Sequence, residues 1–178
     1  MPAIDLTPLF IAQAQNMLKQ DYLPRIVTCL DGLSPQQIWW RPNPASNSVG
    51  NLVLHLSGNV RQWIISGLGG AADHRQRDTE FAEQGPMPRR VLISRLRKTV
   101  TEACRVLDRL TIDDLARAYT IQGFQVTGLE AVFHVTEHFS HHAGQIIQIT
   151  KMLQGRDLEF THLPGDKKKK PRASKRSG

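Results

Sequence analysis

Apolar residues recur every three to four positions over four long stretches of the chain, which predicts four amphipathic helices. The stretches run from Thr7 to about Leu30, from Asn47 to about Ser66, from Pro88 to about Leu110, and from Thr127 to Gln154. Four helices of this kind can bury their apolar faces only against one another. The pattern therefore predicts an all-α fold, a four-helix bundle with long loops and short extra helices.

Local signals indicate where these helices begin and end. Thr127 stands three residues before Glu130, the spacing of a capping box, and Gly155 suits the left-handed position just past a helix end. Thr7, directly before a proline, is the predicted N-cap of the first helix. Pro24 lies inside the first helix and predicts a kink or break just before it.

The connecting segments follow a similar order in both halves of the chain. Ser34 and Thr111 each follow a long helix and each begin a predicted short capped helix, which indicates a weak internal repeat. Residues 71–88 are polar and irregular, and a connection of this length is often a lid or a binding loop. Residues 119–126 are β-prone around a glycine and predict an extended loop.

Histidines are concentrated in the fourth helix. His134, His138, His141 and His142 fall within nine residues, and His138 and His142 are four apart, so both can face one point outside the helix. His55 lies near the apolar stripe of the second helix, where a buried core histidine is the alternative interpretation. A catalytic zinc site uses three protein ligands and keeps one position open. We therefore predict a metal site of His55, His138 and His142, with His134 or His141 left open as substitute ligands.

The metal suggested by three neutral imidazoles is Zn²⁺ or Ni²⁺. His141 is turned about 100° round the helix from His142, so the two cannot face one ion equally. His74 is interpreted as a surface residue. Asn59, Gln62 and Gln145 are candidates to orient the ligands by hydrogen bonds.

Length and charge add a domain boundary. The 178 residues suit one domain, residues 1–163, followed by a predicted disordered basic tail, residues 164–178. The tail holds seven cations and one acid, so it carries +6 of the total charge of +7 and leaves the body nearly neutral. We interpret the tail as a solubilising end or weak anion binder, with nuclear import or specific nucleic-acid binding as the alternative.

The same composition bears on location. No apolar run reaches the length of a membrane span, and no secretory signal is visible at the N-terminus. Cys29 and Cys104 have no motif spacing and are interpreted as reduced thiols, Cys104 as a buried one. A cytoplasmic protein with no membrane partner and no specific nucleic-acid partner is expected.

With these residues laid out, the chain resembles the DinB-like superfamily of four-helix-bundle metalloproteins. The resemblance rests on His55, then His138 and His142, followed closely by Gly144 and Gln145, and it covers roughly residues 6–155. The superfamily includes bacillithiol- and mycothiol-dependent transferases. The resemblance implies metal-dependent thiol S-transfer or hydrolysis, with a small-molecule substrate such as a low-molecular-weight thiol. Ala143 stands where many members carry arginine, which places any role of that cation in substrate binding in question.

The residues alone identify no catalytic group. Glu137 adjoins His138 but points about 100° away, so it is interpreted as a solvated carboxylate. The rival hypothesis is a noncatalytic bundle, a dimeric stress or interaction protein whose histidines are structural. A homodimer, the substrate, the metal and the reaction all stay open at this level.

Overall fold

The computed structural model of the protein describes residues 4–161, so the predicted tail, residues 164–178, lies outside the described residues. Its α-helices are α1 (Thr7–Gln15), α2 (Leu23–Gly32), α3 (Pro35–Ile38), α4 (Val49–Val60), α5 (Arg77–Ala82), α6 (Arg89–Leu107), α7 (Ile112–Ala116) and α8 (Gly128–Gln154). Two π-helical segments, π1 (Asn16–Tyr22) and π2 (Arg61–Leu68), continue α1 and α4. Strands β1 (Ala118–Ile121) and β2 (Phe124–Thr127) form one hairpin.

The four long helices close into a bundle, as the apolar periodicity predicts. Helix α4 packs against α6 and α8, and α2 packs against the same two helices from the other side. The large side chains buried most completely come from all four and from α3: Phe139, Leu18, Ile26, Leu30, Ile38, Leu52, Leu56, Ile64, Leu92, Leu96, Leu107 and Ile146. Each such side chain contributes about 1.5–3 kcal/mol of hydrophobic free energy. The all-α fold is thus confirmed, with one two-stranded hairpin added to it.

The start of the first helix differs from the prediction. Thr7 is already helical and Leu6 is the N-cap, without a side-chain cap. The carboxylate of Asp5 takes the capping role, because its Oδ1 accepts a hydrogen bond from the Thr7 N–H at 2.8 Å. Interactions with the side chain and the backbone N–H of Thr7 lower the pKa of the exposed Asp5 carboxyl.

Pro24 changes the pitch of the first helix without ending it. The wider turns of π1 lead directly into α2, which carries the proline in its first turn. The Leu23 N–H donates to the carbonyl of Leu18, five residues back. A proline has no N–H and its ring crowds the carbonyl four residues earlier, so a widened turn before it relieves the clash.

The cap signals elsewhere are confirmed. Ser34, Thr111 and Thr127 each accept from the backbone N–H three residues on, and the side chain at that position returns the bond. Ser48 and Asn51 form a fourth capping box at the start of α4. Gly155 ends α8 with φ of 62°, a left-handed conformation that glycine adopts without strain.

Two connections are more regular than predicted. The polar segment 71–88 contains α5, so it is not wholly irregular. Residues 118–127 pair as antiparallel strands, with Ile121 opposite Phe124 around Gly123 at φ of 82°, where the sequence predicted only an extended loop. Neither helix α5 nor the hairpin could be recognised from periodicity, since each is too short to show it. Within residues 4–161 no helix is long and apolar enough to cross a membrane.

Candidate metal site

Helix α4 is buried at every position from Val49 to Val60. A helix that is buried all round is normally apolar, yet α4 carries Asn51, His55, Ser57 and Asn59. Buried polar groups need hydrogen-bond partners, because an unpaired one costs about 1–3 kcal/mol. The partners of Asn51 and His55 define the site.

His55 is held from one side by Glu80 of α5. Its Nδ1 lies 3.0 Å from Glu80 Oε2, and both side chains are almost fully buried. Arg75 donates two hydrogen bonds of 2.8 Å to the same carboxylate, from Nε to Oε1 and from Nη2 to Oε2. The carboxylate can only accept, and Arg75 Nη2, 3.1 Å from the same Nδ1, already donates to Oε2 at the shorter distance of 2.8 Å. We therefore assign the His55 proton to Nδ1, which leaves the lone pair on Nε2.

The electrostatics of Glu80 favour its ionised form. Burial by itself would raise the pKa of this carboxyl, but the hydrogen bonds and charges of Arg75 and His55 outweigh burial and hold the pKa below its usual value. Arg75 is fixed in turn, because its Nη1 donates to Gln62 Oε1 at 2.9 Å. Gln62 therefore acts on the cluster through Arg75, and it does not touch a histidine directly in these contacts.

The α5 segment is clamped onto α4 by side chains that bind its backbone. Asn51 Nδ2 donates to the carbonyl oxygens of Glu80 at 2.9 Å and Glu83 at 2.7 Å. Arg41 Nη2 donates to the carbonyl of Phe81 at 2.7 Å. Gly58 allows the close approach, since a Cβ there would overlap Glu80 Oε1. The loop is thus fixed at the point where it reaches His55.

On the other side, His55 faces helix α8. Its Nε2 lies 2.8 Å from His138 Nε2, and one ring nitrogen from each of His55, His138 and His142 lies within 4.8 Å of the others. The i, i+4 spacing of His138 and His142 places both rings on one side of α8, with ring centroids 4.4 Å apart. The structure therefore brings together the three residues that the sequence selected, in a cluster that could hold a metal ion.

Gln145 orients the third histidine. Its Oε1 accepts from His142 Nδ1 at 2.7 Å, and its Nε2 lies 3.2 Å from His141 Nε2. The proton on His142 Nδ1 leaves Nε2 with a free lone pair. His141 is exposed and stands beside this bond, outside the cluster of three.

His134 extends the row of histidines one turn earlier but has other partners. Its ring packs on Trp63 with centroids 4.0 Å apart, and its Nε2 lies 3.3 Å from Asn59 Nδ2. Asn59 thus contacts His134 and no member of the cluster in these bonds. His74 is exposed, as expected, and Glu137 is exposed on α8.

Burial favours the neutral form of His138, His142 and His134. It lowers the pKa of His138 to about 3, with further lowering from the nearby His142, His55 and His134. Burial is also the main reason that the pKa values of His142 and His134 lie below the ordinary value. Neutral imidazole is the form that binds metal ions.

The donor set fits a divalent cation. Two of the three rings have Nδ1 hydrogen-bonded to an oxygen, Glu80 for His55 and Gln145 for His142. A histidine ligand usually donates its second ring N–H to a carboxylate or carbonyl oxygen, which fixes its tautomer and direction. The Glu80–His55 pair has this arrangement, and whether the three histidines bind an ion stays a prediction.

Sequence reasoning missed Glu80 and Arg75. Both lie in the polar segment between α4 and α6, 25 and 20 residues beyond His55. The available signal was the length of this connection, which is typical of binding loops. Their pairing depends on how the segment folds back over α4, and no spacing in the sequence expresses that.

The fold of the described residues is that of DinB-like helical proteins. A crystal structure of a DinB-like protein from Bacillus cereus ATCC 10987 is 18% identical, with a TM-score of 0.57 over 76% of this chain and 87% of that one. A DinB-like protein from Bacillus subtilis, YjoA, is 20% identical, with a TM-score of 0.60 over 85% and 96%. A conserved protein from Enterococcus faecalis is 16% identical, with a TM-score of 0.70 over 86% and 100%. At these identities the likeness shows the fold alone.

The chain belongs to the family described as "Protein of unknown function (DUF1572)", whose model matches residues 8–167. No curated protein matches it. The helical fold that the resemblance to the DinB-like superfamily implies is confirmed by these structural neighbours.

Proposed function

We propose that the protein binds one divalent metal ion, Zn²⁺ or Ni²⁺, through His55, His138 and His142, and is a metal-dependent enzyme acting on a small molecule. Thiol S-transfer with a low-molecular-weight thiol, or hydrolysis, is the proposed reaction. The observation that carries the proposal is the convergence of three ring nitrogens within 4.8 Å, from helices far apart in the sequence. Such an ion lowers the pKa of a bound water or thiol, which provides a nucleophile at neutral pH.

Hydrogen bonds to neighbouring side chains support this proposal, because they orient two of the three histidines without a bound ion. Glu80 accepts from His55 Nδ1 and Gln145 accepts from His142 Nδ1, so each imidazole is held in one tautomer. Three protein ligands leave coordination positions for a substrate, whereas a structural zinc site would have four. The same hydrogen bonds leave Nε2 of His55 and of His142 unprotonated and able to bind an ion.

The metal content of the purified protein tests the proposal first. We expect close to one Zn²⁺ or Ni²⁺ per chain by elemental analysis, and a sharp loss of metal in each of the variants His55→Ala, His138→Ala and His142→Ala. The controls are His74→Ala and His141→Ala, whose side chains are exposed and outside the cluster. If the wild-type protein binds no metal at all, the noncatalytic interpretation is correct.

The thiol reaction needs a separate readout. In protein loaded with Ni²⁺ or Co²⁺, a low-molecular-weight thiol that coordinates the ion would add a sulfur-to-metal charge-transfer band to the absorption spectrum. We expect this band with wild-type protein and not with His138→Ala. A fully loaded protein whose spectrum does not respond to any thiol in a panel would instead favour hydrolysis.

A further inference from the structure

Helix α6 carries a cluster of basic side chains on its exposed face, away from the histidine cluster. Together with Arg61 of π2 they line an open groove of about 940 Å³, here called the α6 basic groove. Its lining residues are Arg61, Arg90, Ile93, Ser94, Arg97, Lys98, Thr101, Glu102 and Arg105. The apolar periodicity of α6 accounts for its buried side and leaves this face unexplained.

The charges of the groove are largely uncompensated. It holds five cations and one carboxylate, a net charge of +4. Glu102 pairs with Arg61 at 3.3 Å across the groove. Among residues 4–161 no carboxylate lies within ion-pair distance of the other four cations, and all four are exposed. An ordinary solvated helix face interleaves both signs of charge, and this one does not.

This concentration stands out against the rest of the folded body. Residues 1–163 have a net charge of only +1 once the basic tail is set apart. A groove of +4 therefore leaves the remainder of the body at −3. A concave surface lined by one sign of charge focuses the electrostatic field and attracts the opposite charge.

The shape of the groove selects a long polyanion over a small anion. Arg90 and Arg105 are fifteen residues apart on one straight helix, which places them about 22 Å apart along its axis. Ser94 and Thr101 stand between them and add hydroxyl donors. A duplex carries one phosphate charge per about 1.7 Å of axis when both strands are counted, so a segment of that length carries about a dozen phosphates, of which those on one side can meet the groove.

The chemistry of the lining favours a duplex over a single strand. Nucleic-acid surfaces for single strands carry aromatic side chains on which bases stack, and no aromatic residue lines this groove. Arginine, by contrast, binds phosphate oxygens with two parallel hydrogen bonds. We infer that the α6 basic groove is a sequence-independent docking surface for the phosphate backbone of double-stranded nucleic acid.

The test uses full-length protein and a mixed-sequence duplex DNA of about 20 base pairs, with binding followed by fluorescence anisotropy over a range of salt concentrations. The groove variant is Arg97→Glu with Arg105→Glu, two exposed positions on one face of α6. The control variant is Arg25→Glu with Arg156→Glu, which makes the same change in net charge outside the groove. A third variant, with Lys167, Lys168, Lys169 and Lys170 all replaced by glutamine, separates the tail from the groove.

We expect the groove variant to bind at least tenfold more weakly, and the slope of log K against log salt to fall by roughly two, since each phosphate contact contributes about 0.9. The control variant should keep the wild-type slope. The inference is overturned if the groove and control variants weaken equally, or if the tail variant alone abolishes binding while the groove variant does not. A parallel assay measures binding to anionic lipid vesicles, and the inference is also overturned if the groove variant loses binding to the vesicles but keeps its binding to DNA. An unchanged circular dichroism spectrum confirms that each variant is folded, and Arg97→Gln with Arg105→Gln replaces any variant that is not.

Discussion

Glu80 is a buried carboxylate that accepts hydrogen bonds from two side chains, the imidazole of His55 and the positively charged guanidinium of Arg75. The bidentate bond from Arg75 stabilises the charge of Glu80 away from water, and that charge in turn orients His55. An ion pair of this sort is a weak contributor to stability as a whole, but removing one partner leaves the other charge buried and uncompensated. The residue is therefore expected to affect both folding and metal affinity.

Replacing Glu80 tests both effects. We expect Glu80→Gln to lower metal affinity by about 10–100-fold, because an amide orients the His55 N–H less strongly than a carboxylate. Glu80→Ala should in addition lower the free energy of unfolding of the metal-free protein by about 3–5 kcal/mol, because Arg75 loses its buried partner. Chelator competition measures the first quantity and urea denaturation the second.

The matched control is Glu137→Gln. Glu137 is exposed and adjoins His138 in the sequence. The substitution therefore makes the same carboxylate-to-amide change beside a proposed ligand, at a side chain that does not contact it. Its metal affinity and stability should match the wild type. Equal losses in both variants would show that net charge near the site matters and that the Glu80–His55 contact does not.

Acidification should destabilise the metal-free protein. The pKa of His138 is about 3 when folded and that of His142 is also lowered, against an ordinary value near 6.5. Below about pH 6.5 the unfolded chain therefore binds more protons than the folded one, and stability is lost as the pH falls. His138 contributes a slope that approaches about 1.4 kcal/mol per pH unit as the pH falls from 6 to 5, and the lowered pKa of His142 adds to it in the same direction.

The variant His138→Gln isolates this contribution. Between pH 6 and 5 its free energy of unfolding, from urea denaturation without metal, should fall less steeply than that of the wild type. The difference in slope corresponds to about one fewer proton taken up on unfolding. His74→Gln, at an exposed position, should keep the wild-type slope. Identical slopes for the His138 variant and the wild type would mean that His138 is not buried in its neutral form.

At the scale of elements, the site depends on how closely α5 approaches α4. The approach is possible because Gly58 has no side chain, and it is maintained by Asn51, which caps α4 and also binds the backbone of α5. One residue therefore performs two structural tasks, since its Oδ1 accepts at the helix start and its Nδ2 donates to the loop. Helix α8 presents its histidines from a single long helix, Gly128–Gln154, which is capped at both ends.

Two glycine-to-alanine substitutions distinguish a required glycine from a dispensable one. Gly58→Ala should destabilise the protein by about 1–3 kcal/mol, because the new methyl group would collide with Glu80. Gly144→Ala should stabilise it by about 0.5–1 kcal/mol, because a Cβ there meets nothing within 4 Å and alanine favours a helix. Thermal and urea denaturation measure both, and a stabilising Gly58→Ala would contradict the described packing of Glu80.

At the scale of the whole molecule, the histidine cluster joins helices from opposite halves of the chain. His55 and His138 are 83 positions apart, so their meeting depends on the closed bundle and not on any local turn. An ion bound between α4 and α8 would exist only in the folded state. Binding would thus stabilise the bundle by mass action.

We expect Zn²⁺ or Ni²⁺ to raise the melting temperature of the metal-free protein. At a free metal concentration 100 times the dissociation constant, the free energy of unfolding should rise by about 2.7 kcal/mol. Calorimetry with and without metal measures this, and His138→Ala should show no such gain. A wild-type melting temperature that does not respond to either ion would support a noncatalytic bundle.

The sequence alone determined the helices and the three histidines, because both signals are local or periodic. Apolar spacing marks the buried faces of the long helices. The capping boxes at Ser34 and Thr111 mark the starts of the short helices α3 and α7, and the box at Thr127 marks the start of α8. The i, i+4 spacing places His138 and His142 on one side of α8. His55 followed from the resemblance and from the expectation that its helix faces the one that presents His138 and His142. All of these depend on residues within a few positions of one another or on a known family pattern.

Only the tertiary structure decided what surrounds the histidines. Glu80 and Arg75 come from an aperiodic segment whose path over α4 is set by hydrogen bonds from Asn51 and Arg41, and Gly58 leaves room for them. The α6 basic groove likewise arises because Arg61 of π2 faces the arginines of α6 across space. Such contacts join residues 20 or more positions apart with no repeating spacing, and the folded chain brings them together because buried charges and polar groups must find partners.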